Sequence, residues 1–190
     1  MTGEGLRERN KARRREAITR AALTLFAERG YDETTIAEVA EAAEVSPGTV
    51  KIYFGTKQDL ALARFSESAD RFAGALHGRL PGEKALDVLE RWLRSETGRQ
   101  DEVSALARPM FRANPKLRAL LHERMDTAVA EFASALAEDA GLPPDSLGPR
   151  LAAASAAAMI MTLGDFPNAT PEQAVRTAMT FLESGLQAVT

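Results

Sequence analysis

Side chains that carry much of enzyme chemistry are scarce in this chain of 190 residues, which has no cysteine and only two histidines, His77 and His122. The absence of cysteine excludes disulfides and thiol chemistry, and two histidines do not make a His-rich metal site. No apolar run reaches the roughly 18 residues that a membrane-spanning helix needs. Gly-x-Ser-x-Gly, Walker and Gly-x-Gly-x-x-Gly motifs are missing too. We therefore expect a cytoplasmic protein that is not an enzyme, makes no use of a membrane and needs no metal or cofactor.

Charge is distributed unevenly along the chain. The whole sequence holds 24 basic and 27 acidic residues, a net charge of −3, which argues against indiscriminate binding of nucleic acid. Residues 1–20 hold seven basic and three acidic residues, so their net charge is +4. A basic arm of this kind can follow phosphates or enter a minor groove. For residues 1–9, a disordered solubilising tail is an equal alternative.

Helical signals run through the whole sequence, with no convincing β alternation and no repeat. The length suits one small domain and one of medium size. Apolar periodicity and the Gly and Pro breakers predict an all-α fold of about nine helices. The expected helices cover approximately residues 14–29, 35–43, 47–54, 56–77, 84–94, 102–112, 115–139, 146–163 and 171–188.

The most informative stretch is 34–60, which predicts two short helices joined by a tight turn. Thr35 followed three residues later by Glu38 forms a capping box and begins the first helix. Ser46 is a good N-cap for the second helix, and Pro47 suits its first position because the missing N–H would be unpaired there anyway. The sequence therefore predicts a helix-turn-helix.

The second of these helices has a face that packing does not need. Val50 and Phe54 are four residues apart and are expected to face inward. A short helix that is braced from behind and carries spare polar groups is what a DNA major groove accepts. The free circumference holds Thr49, Lys51, Ile52 and Tyr53.

The run from Arg14 to Leu60 resembles the N-terminal domain of TetR-family transcriptional regulators. The resemblance covers about a third of the chain and implies an all-helical homodimer. A helix-turn-helix DNA-binding domain is expected at 1–55 and a ligand-binding and dimerisation domain at 56–190. Family members are mostly repressors that release their operator when a small molecule binds. The matching residues are Ala21-Ala22, Leu25-Phe26, Gly30-Tyr31, Thr34-Thr35-Ile36, Ala40, Ala43, Val45-Ser46-x-Gly48-Thr49, Tyr53-Phe54 and Lys57-x-x-Leu60.

The resemblance implies which positions contact a double-stranded, pseudo-palindromic operator. Helix N-termini, hydroxyls and lysines suit phosphates, while lysine and threonine can also reach base edges. For each residue taken singly, a solvated surface side chain is the alternative. The candidates are Thr35, Tyr53 and Lys57 for phosphates, Thr49 and Lys51 for base edges, Gly48 for close approach, and Pro47 and Ile52 for apolar contacts.

Two positions depart from the family pattern. Glu44 stands in the turn between the paired helices, where the family usually has Gly, and a non-Gly residue is disfavoured at positive φ. Either Glu44 tolerates a strained turn or the turn differs slightly. Lys51 stands where the family often has Tyr, which shifts the expected contact from stacking toward charge.

The resemblance implies a small-molecule effector that binds among the central helices. This effector is expected to be mainly hydrophobic, because pockets are usually apolar with few polar groups. The alternative for each candidate is plain core packing. Arg108, His122 and Asp165 are weaker candidates for polar anchors. The apolar candidates are Phe65, Phe72, Trp92, Met110, Phe111, Met125, Phe132, Met159 and Phe166.

The resemblance implies that the last two helices form the homodimer interface. The helix at 146–163 is rich in small residues that permit close approach, and the helix at 171–188 repeats apolar residues at helical spacing. Helix-turn-helix proteins usually read two half-sites, which favours two-fold symmetry. The alternative is that both helices are internal core. For the whole protein, the alternative function is a helical interaction module without sequence-specific DNA binding.

Overall fold

The computed structural model describes residues 3–99, 110–111, 113–162 and 169–189. These residues form eight helices and no strand, which confirms the all-α fold, with eight rather than about nine helices in the described part. Most of the helix expected at 102–112 lies outside that part. The helices are α1 (Gly3–Arg29), α2 (Ile36–Ala42), α3 (Pro47–Phe54), α4 (Lys57–His77), α5 (Ala85–Thr97), α6 (Pro115–Asp139), α7 (Leu147–Thr162) and α8 (Pro171–Val189).

The first helix begins at Gly3, whereas apolar spacing predicted a start at Arg14. The described part of the basic segment is therefore helical, so the alternative of a disordered tail was wrong. The expectation that this segment contacts phosphates or a minor groove stays a prediction. The start was missed because every side chain from 5 to 14 is exposed, so no buried stripe marks this segment. It has no Pro and is rich in Arg, which has a high helix propensity.

The described residues fall into two compact units. The first holds those within 1–67 and 100–121, and the second those within 68–99 and 122–190. Helices α4 and α6 contribute residues to both units. The functional division expected at residue 55 stays a prediction. No helix in the described ranges is long and apolar enough to cross a membrane.

The first unit is built around side chains from α1 to α4 that are almost wholly removed from solvent. Each such side chain stabilises the fold by about 1.5–3 kcal/mol. Thr34 joins this core as a buried polar residue, and its hydroxyl donates to the Gly30 carbonyl at 2.8 Å. This bond ties the start of the helix-turn-helix to the end of α1. The largest buried side chains of α1 to α4 in this unit are Ile18, Leu23, Val39, Val50, Leu60 and Leu62, and Leu117 and Leu121 of α6 are buried in the same unit.

The second unit packs around aromatic rings. The Phe72 ring lies 5.1 Å from Trp92 and 5.4 Å from Phe132, measured between ring centroids. One stripe of α7, including Ala152 and Ala156, packs into the same core. The remainder of α7 is half-buried or exposed in the single chain, so this helix buries one face rather than most of its circumference.

Candidate nucleic-acid interface

Helix α2 starts with the predicted capping box. The Thr35 hydroxyl accepts a hydrogen bond from the Glu38 N–H at 3.2 Å, and the Glu38 carboxylate accepts one from the Thr35 N–H at 2.8 Å. The pKa of Glu38 is lowered by the hydrogen bond from the Thr35 main-chain N–H, by the Thr35 hydroxyl and by the nearby Arg29. The hydroxyl also donates to the Glu38 carboxylate at 2.8 Å. Thr35, a phosphate candidate, is therefore exposed with its hydroxyl already engaged.

The turn between α2 and α3 keeps a left-handed residue at Glu44. Its φ is 52°, and no other non-Gly residue of the described ranges has a positive φ. The following Val45 N–H closes the turn onto the Ala40 carbonyl at 2.9 Å. Glu44 therefore tolerates a strained turn, which is the first of the two alternatives, because it adopts the left-handed conformation that suits Gly. A non-Gly residue there costs about 1–2 kcal/mol.

Helix α3 begins and ends where its sequence predicted. The Ser46 hydroxyl accepts from the Thr49 N–H at 3.0 Å, and Pro47 occupies the first turn. Gly55 ends the helix at a φ of 69°. The Thr56 hydroxyl then accepts from the Asp59 N–H at 3.0 Å and caps α4, while the Asp59 carboxylate accepts from the Thr56 N–H at 3.1 Å. These caps fix both ends of an eight-residue helix.

The outer face of α3 comprises Pro47, Gly48, Thr49, Lys51, Ile52 and Tyr53. Val50 and Phe54 anchor the opposite side and are 1% and 6% exposed. On the outer face, Thr49 and Tyr53 are half-buried and the other four are exposed, with Ile52 at 85%. Six of the eight DNA candidates thus lie on α3 and remain at least partly exposed to solvent. Thr35 and Lys57 lie on neighbouring elements of the same unit.

Lys57, the first residue of α4, is held in place by the turn after α1. Its ammonium donates to the Asp32 carbonyl at 3.2 Å and lies 4.4 Å from the centroid of the Tyr31 ring. A lysine ammonium has three N–H donors, so donors remain for a phosphate. Burial raises the pKa of Tyr31, and the charge of Asp32 raises it further. The Tyr31 hydroxyl therefore stays protonated at neutral pH.

Sequence reasoning missed Arg15, which it counted only as part of a basic segment. The Arg15 guanidinium donates to the Tyr53 carbonyl at 2.9 Å and to the Glu67 carboxylate at 2.7 Å. A signal was present, because Arg15 precedes buried Ile18 and Ala22 by three and seven residues and so lies on the buried stripe of α1.

The ligand-binding candidates divide between the two units. In the second unit, Phe72, Trp92 and Phe132 form the aromatic core, while Met125 and Met159 are half-buried. In the first unit, Phe65 meets Phe111 edge to face at 4.7 Å, with Met110 also buried. His122 is exposed. Phe166, Arg108 and Asp165 lie outside the described residues, and a ligand-binding role for any of these positions stays a prediction.

Comparison with known proteins decides the family. The sequence profile of bacterial regulatory proteins of the tetR family matches residues 18–63, which run from the buried part of α1 into α4. The HTH-type transcriptional regulator TcmR of Streptomyces glaucescens is 39% identical over 97 residues, which are 51% of this chain and 43% of that protein. Residues 18–63 therefore belong to the tetR family of bacterial regulatory proteins.

The TetR likeness extends beyond the matched sequence. A crystal structure of a TetR-family transcriptional regulator from Rhodococcus sp. superposes with a TM-score of 0.62 at 26% identity, covering 92% of this chain and 99% of that one. The HTH-type transcriptional repressor Rv3405c of Mycobacterium tuberculosis is 38% identical over 77 residues, 40% of this chain and 39% of its own. The matched segments thus span less than half the length of either curated relative. TetR regulators are not enzymes.

Proposed function

We propose that this protein is a cytoplasmic TetR-family repressor that binds a pseudo-palindromic DNA operator as a homodimer and releases it when a mainly hydrophobic small molecule binds. The observation that carries the proposal is the accessible outer face of α3, anchored from behind by Val50 and Phe54. A capped helix of this length, held by its apolar side, is free to enter a major groove.

Each DNA candidate takes a proposed role from its position. Lys51 and Thr49 flank the outermost line of α3 and are proposed to meet base edges. Lys57, oriented by the Asp32 carbonyl, is proposed to contact a phosphate. The remaining proposed contacts are Thr35 and Tyr53 with phosphates, and Pro47, Gly48 and Ile52 with the walls and floor of the groove.

The proposed dimer interface is the outer side of α7 and α8. Phe181 on α8 is 62% exposed in the single chain, and Leu147 and Leu151 on α7 are exposed as well. Three of the six large apolar side chains that are exposed in the described ranges lie on these two helices, and exposed apolar side chains of this kind mark a surface that association would cover. A second copy of the chain is the occupant that operator symmetry favours. An open groove on α8 is lined by Arg176, Thr177, Thr180, Phe181, Ser184 and Gly185.

The proposed effector site is the aromatic core of the second unit. Trp92 is buried, and its indole N–H finds no hydrogen-bond partner among the described residues. A buried unpaired donor is costly, so a ligand that offers an acceptor there would gain affinity. Helix α4 carries both Lys57 and Phe72 and is the proposed route from effector to DNA. The effector must prefer the conformation that cannot bind the operator, because equal affinity for both conformations shifts nothing.

Selection from a random pool of duplex DNA by the full chain tests the proposed function. We expect enrichment of a sequence with two related half-sites. Lys51→Ala should weaken binding to that sequence by about 1–3 kcal/mol per half-site, the range for one base contact. Lys84→Ala, at an exposed lysine just before α5, is the matched control and should bind as the wild type. A pool from which no sequence is enriched would overturn the proposal.

A further inference from the structure

One side chain of α3 lies farther from the scaffold than any other. At about 100° per residue, Ile52 lies about 180° from the midpoint between Val50 and Phe54, the two anchors. Ile52 is 85% exposed, and no other large apolar side chain in the described ranges is as exposed. The outermost point of the proposed recognition helix is therefore an isoleucine.

The surroundings of Ile52 leave its side chain free to meet a flat surface. Gly48 lies one turn earlier on the same ridge and adds no side chain there. A Cβ at Gly48 would meet only the Ser46 hydroxyl, at 3.6 Å. Lys51 and Thr49 stand on the two flanks of the ridge. The branched side chain of Ile52 would thus reach the floor of a groove first, with polar groups on either side.

An isoleucine has neither a donor nor an acceptor, so it cannot read the hydrogen-bonding pattern of base edges. The C5-methyl group of thymine is the apolar group that standard base pairs present in the major groove. Placing Ile52 against any other base edge would remove water from polar atoms and return no hydrogen bond, which is unfavourable. The chemistry of the side chain therefore selects the kind of base it can face.

We infer that Ile52 reads the C5-methyl group of a pyrimidine in each half-site of the operator. This inference rests on the proposed function and adds the chemical identity of one base contact. Thymine carries that methyl group in unmodified DNA, and 5-methylcytosine carries it in methylated DNA. Thymine is the source expected in an operator selected from unmodified DNA.

The test uses the sequence selected from the random pool and the full chain. Each thymine is replaced in turn by deoxyuridine, which removes only the methyl group. At one thymine per half-site we expect binding to weaken about fourfold, and about fifteenfold when both half-sites are changed, from about 0.8 kcal/mol per buried methyl. Ile52→Ala should bind the thymine and deoxyuridine operators equally, while Leu80→Ala, at another exposed apolar residue, should keep the wild-type difference.

A second arm separates the two sources of the methyl group. The sensitive thymine–adenine pair is replaced by cytosine–guanine with and without a methyl at C5. Tighter binding to the methylated cytosine in the wild type, but not in Ile52→Ala, would show that the methyl group itself is read. Ile52→Val keeps a branched side chain and should keep most of the discrimination between methylated and unmethylated bases. If only Ile52→Ala loses this discrimination, the loss comes from the missing side chain and not from unfolding.

Two results would overturn the inference while leaving the proposed function intact. In one, no thymine of a tightly bound operator is sensitive to deoxyuridine and methylated cytosine has no effect. In the other, deoxyuridine weakens Ile52→Ala as much as the wild type, so another group contacts the methyl. Failure of the proposed function looks different, because no sequence would then be enriched from the pool at all.

Discussion

Arg15 and Tyr53 are joined by a 2.9 Å hydrogen bond from the Arg15 guanidinium to the main-chain carbonyl of Tyr53. That carbonyl belongs to the last turn of α3, where helix carbonyls have no partner within the helix. The same guanidinium lies 4.4 Å from the centroid of the Phe54 ring and pairs with Glu67 on α4 at 2.7 Å. One side chain of α1 therefore fixes the end of the proposed recognition helix against two other helices.

Arg15→Ala should weaken DNA binding by more than its loss of stability explains. We expect a fall of about 2 kcal/mol in the free energy of unfolding, the range for hydrogen bonds to a charged group, and a loss of operator affinity because the end of α3 is no longer fixed. Urea unfolding and operator titration of the folded protein measure the two effects separately.

The matched control for Arg15→Ala is Glu16→Gln. Glu16 accepts hydrogen bonds from Arg64 at 2.6 Å and from Arg20 at 3.3 Å, so it also joins α1 to α4 but, among the described residues, forms no hydrogen bond with α3. Glu16→Gln should lower stability and leave the affinity of the folded protein unchanged. Equal losses of affinity in the two variants would mean that Arg15 acts on general stability and does not position α3.

Gly48→Ala should stabilise the protein and yet weaken DNA binding. An alanine in a helix is more stable than a glycine by about 0.5–1 kcal/mol, and the new methyl meets only Ser46, at 3.6 Å. The same methyl stands on the outermost ridge of α3 and would hold the helix away from the bases, at a cost of about 1 kcal/mol or more, the value of a lost base contact.

Gly74→Ala provides the comparison for Gly48. Gly74 lies within α4, is exposed, and an added Cβ there would meet nothing within 4 Å. Thermal denaturation should show a similar gain for both variants, while a mobility-shift assay should show weaker DNA binding only for Gly48→Ala. Wild-type affinity in Gly48→Ala would contradict the proposed close approach of α3 to DNA.

The local signals of the helix-turn-helix could be predicted from sequence because their chemistry spans only a few residues. The capping box of Thr35 and Glu38, and Ser46 followed by Pro47, depend on groups three or fewer positions apart. Burial of Val50 followed in the same way from helical spacing. Sequence signals of this range determine where α2 and α3 begin and which face of α3 is free.

Contacts between distant residues could not be predicted in the same way. Arg15 reaches Tyr53 and Glu67, which are 38 and 52 positions away, and only the packing of three helices brings them together. Lys57 could be chosen as a phosphate candidate, but its bond to the Asp32 carbonyl across 25 positions could not. The early start of α1 was missed for a different reason: an exposed helical segment has no repeat of apolar residues from which its start could be predicted.

Glu44→Gly should stabilise the protein by relieving the left-handed backbone of the turn. Glu44 has a φ of 52°, and a left-handed conformation costs a non-Gly residue about 1–2 kcal/mol. Part of that gain is offset by the greater freedom of glycine in the unfolded chain. Glu44→Ala keeps the strain and removes only the carboxylate. A rise in Tm for Glu44→Gly but not for Glu44→Ala is expected, and equal rises would assign the effect to charge.

Acid should weaken the contact that joins α4 to α5. Burial raises the pKa of Glu96, but the hydrogen bonds from Arg71 and Ser68 and the neighbouring positive charges outweigh burial and lower it below the ordinary 4.5. A carboxyl with a lowered pKa stabilises the folded state above its unfolded pKa, and this stabilisation is lost as pH falls through the folded pKa.

Glu96→Gln measures that stabilisation. At pH 7 the free energy of unfolding of the variant should be about 1 kcal/mol lower than that of the wild type. This value is kept small because Arg71 is partly exposed. The difference should shrink as the pH falls below 4.5. Glu90→Gln removes an exposed pair with Arg94 within α5 and should change Tm little. A difference for Glu96→Gln that stays constant down to pH 3 would contradict the assigned role of its charge.

Phe181→Glu should convert the proposed dimer into monomers. Phe181 is 62% exposed at the groove along α8, and a glutamate there would have to lose its water when a partner covers it, which costs several kcal/mol. Sedimentation at micromolar concentration should show half the mass of the wild type, with weaker operator binding because one half-site is lost per complex. Leu80→Glu changes a leucine in the turn after α4 that is 71% exposed and should remain dimeric. If Phe181→Glu sediments as the wild type does, the partner subunit covers a different surface.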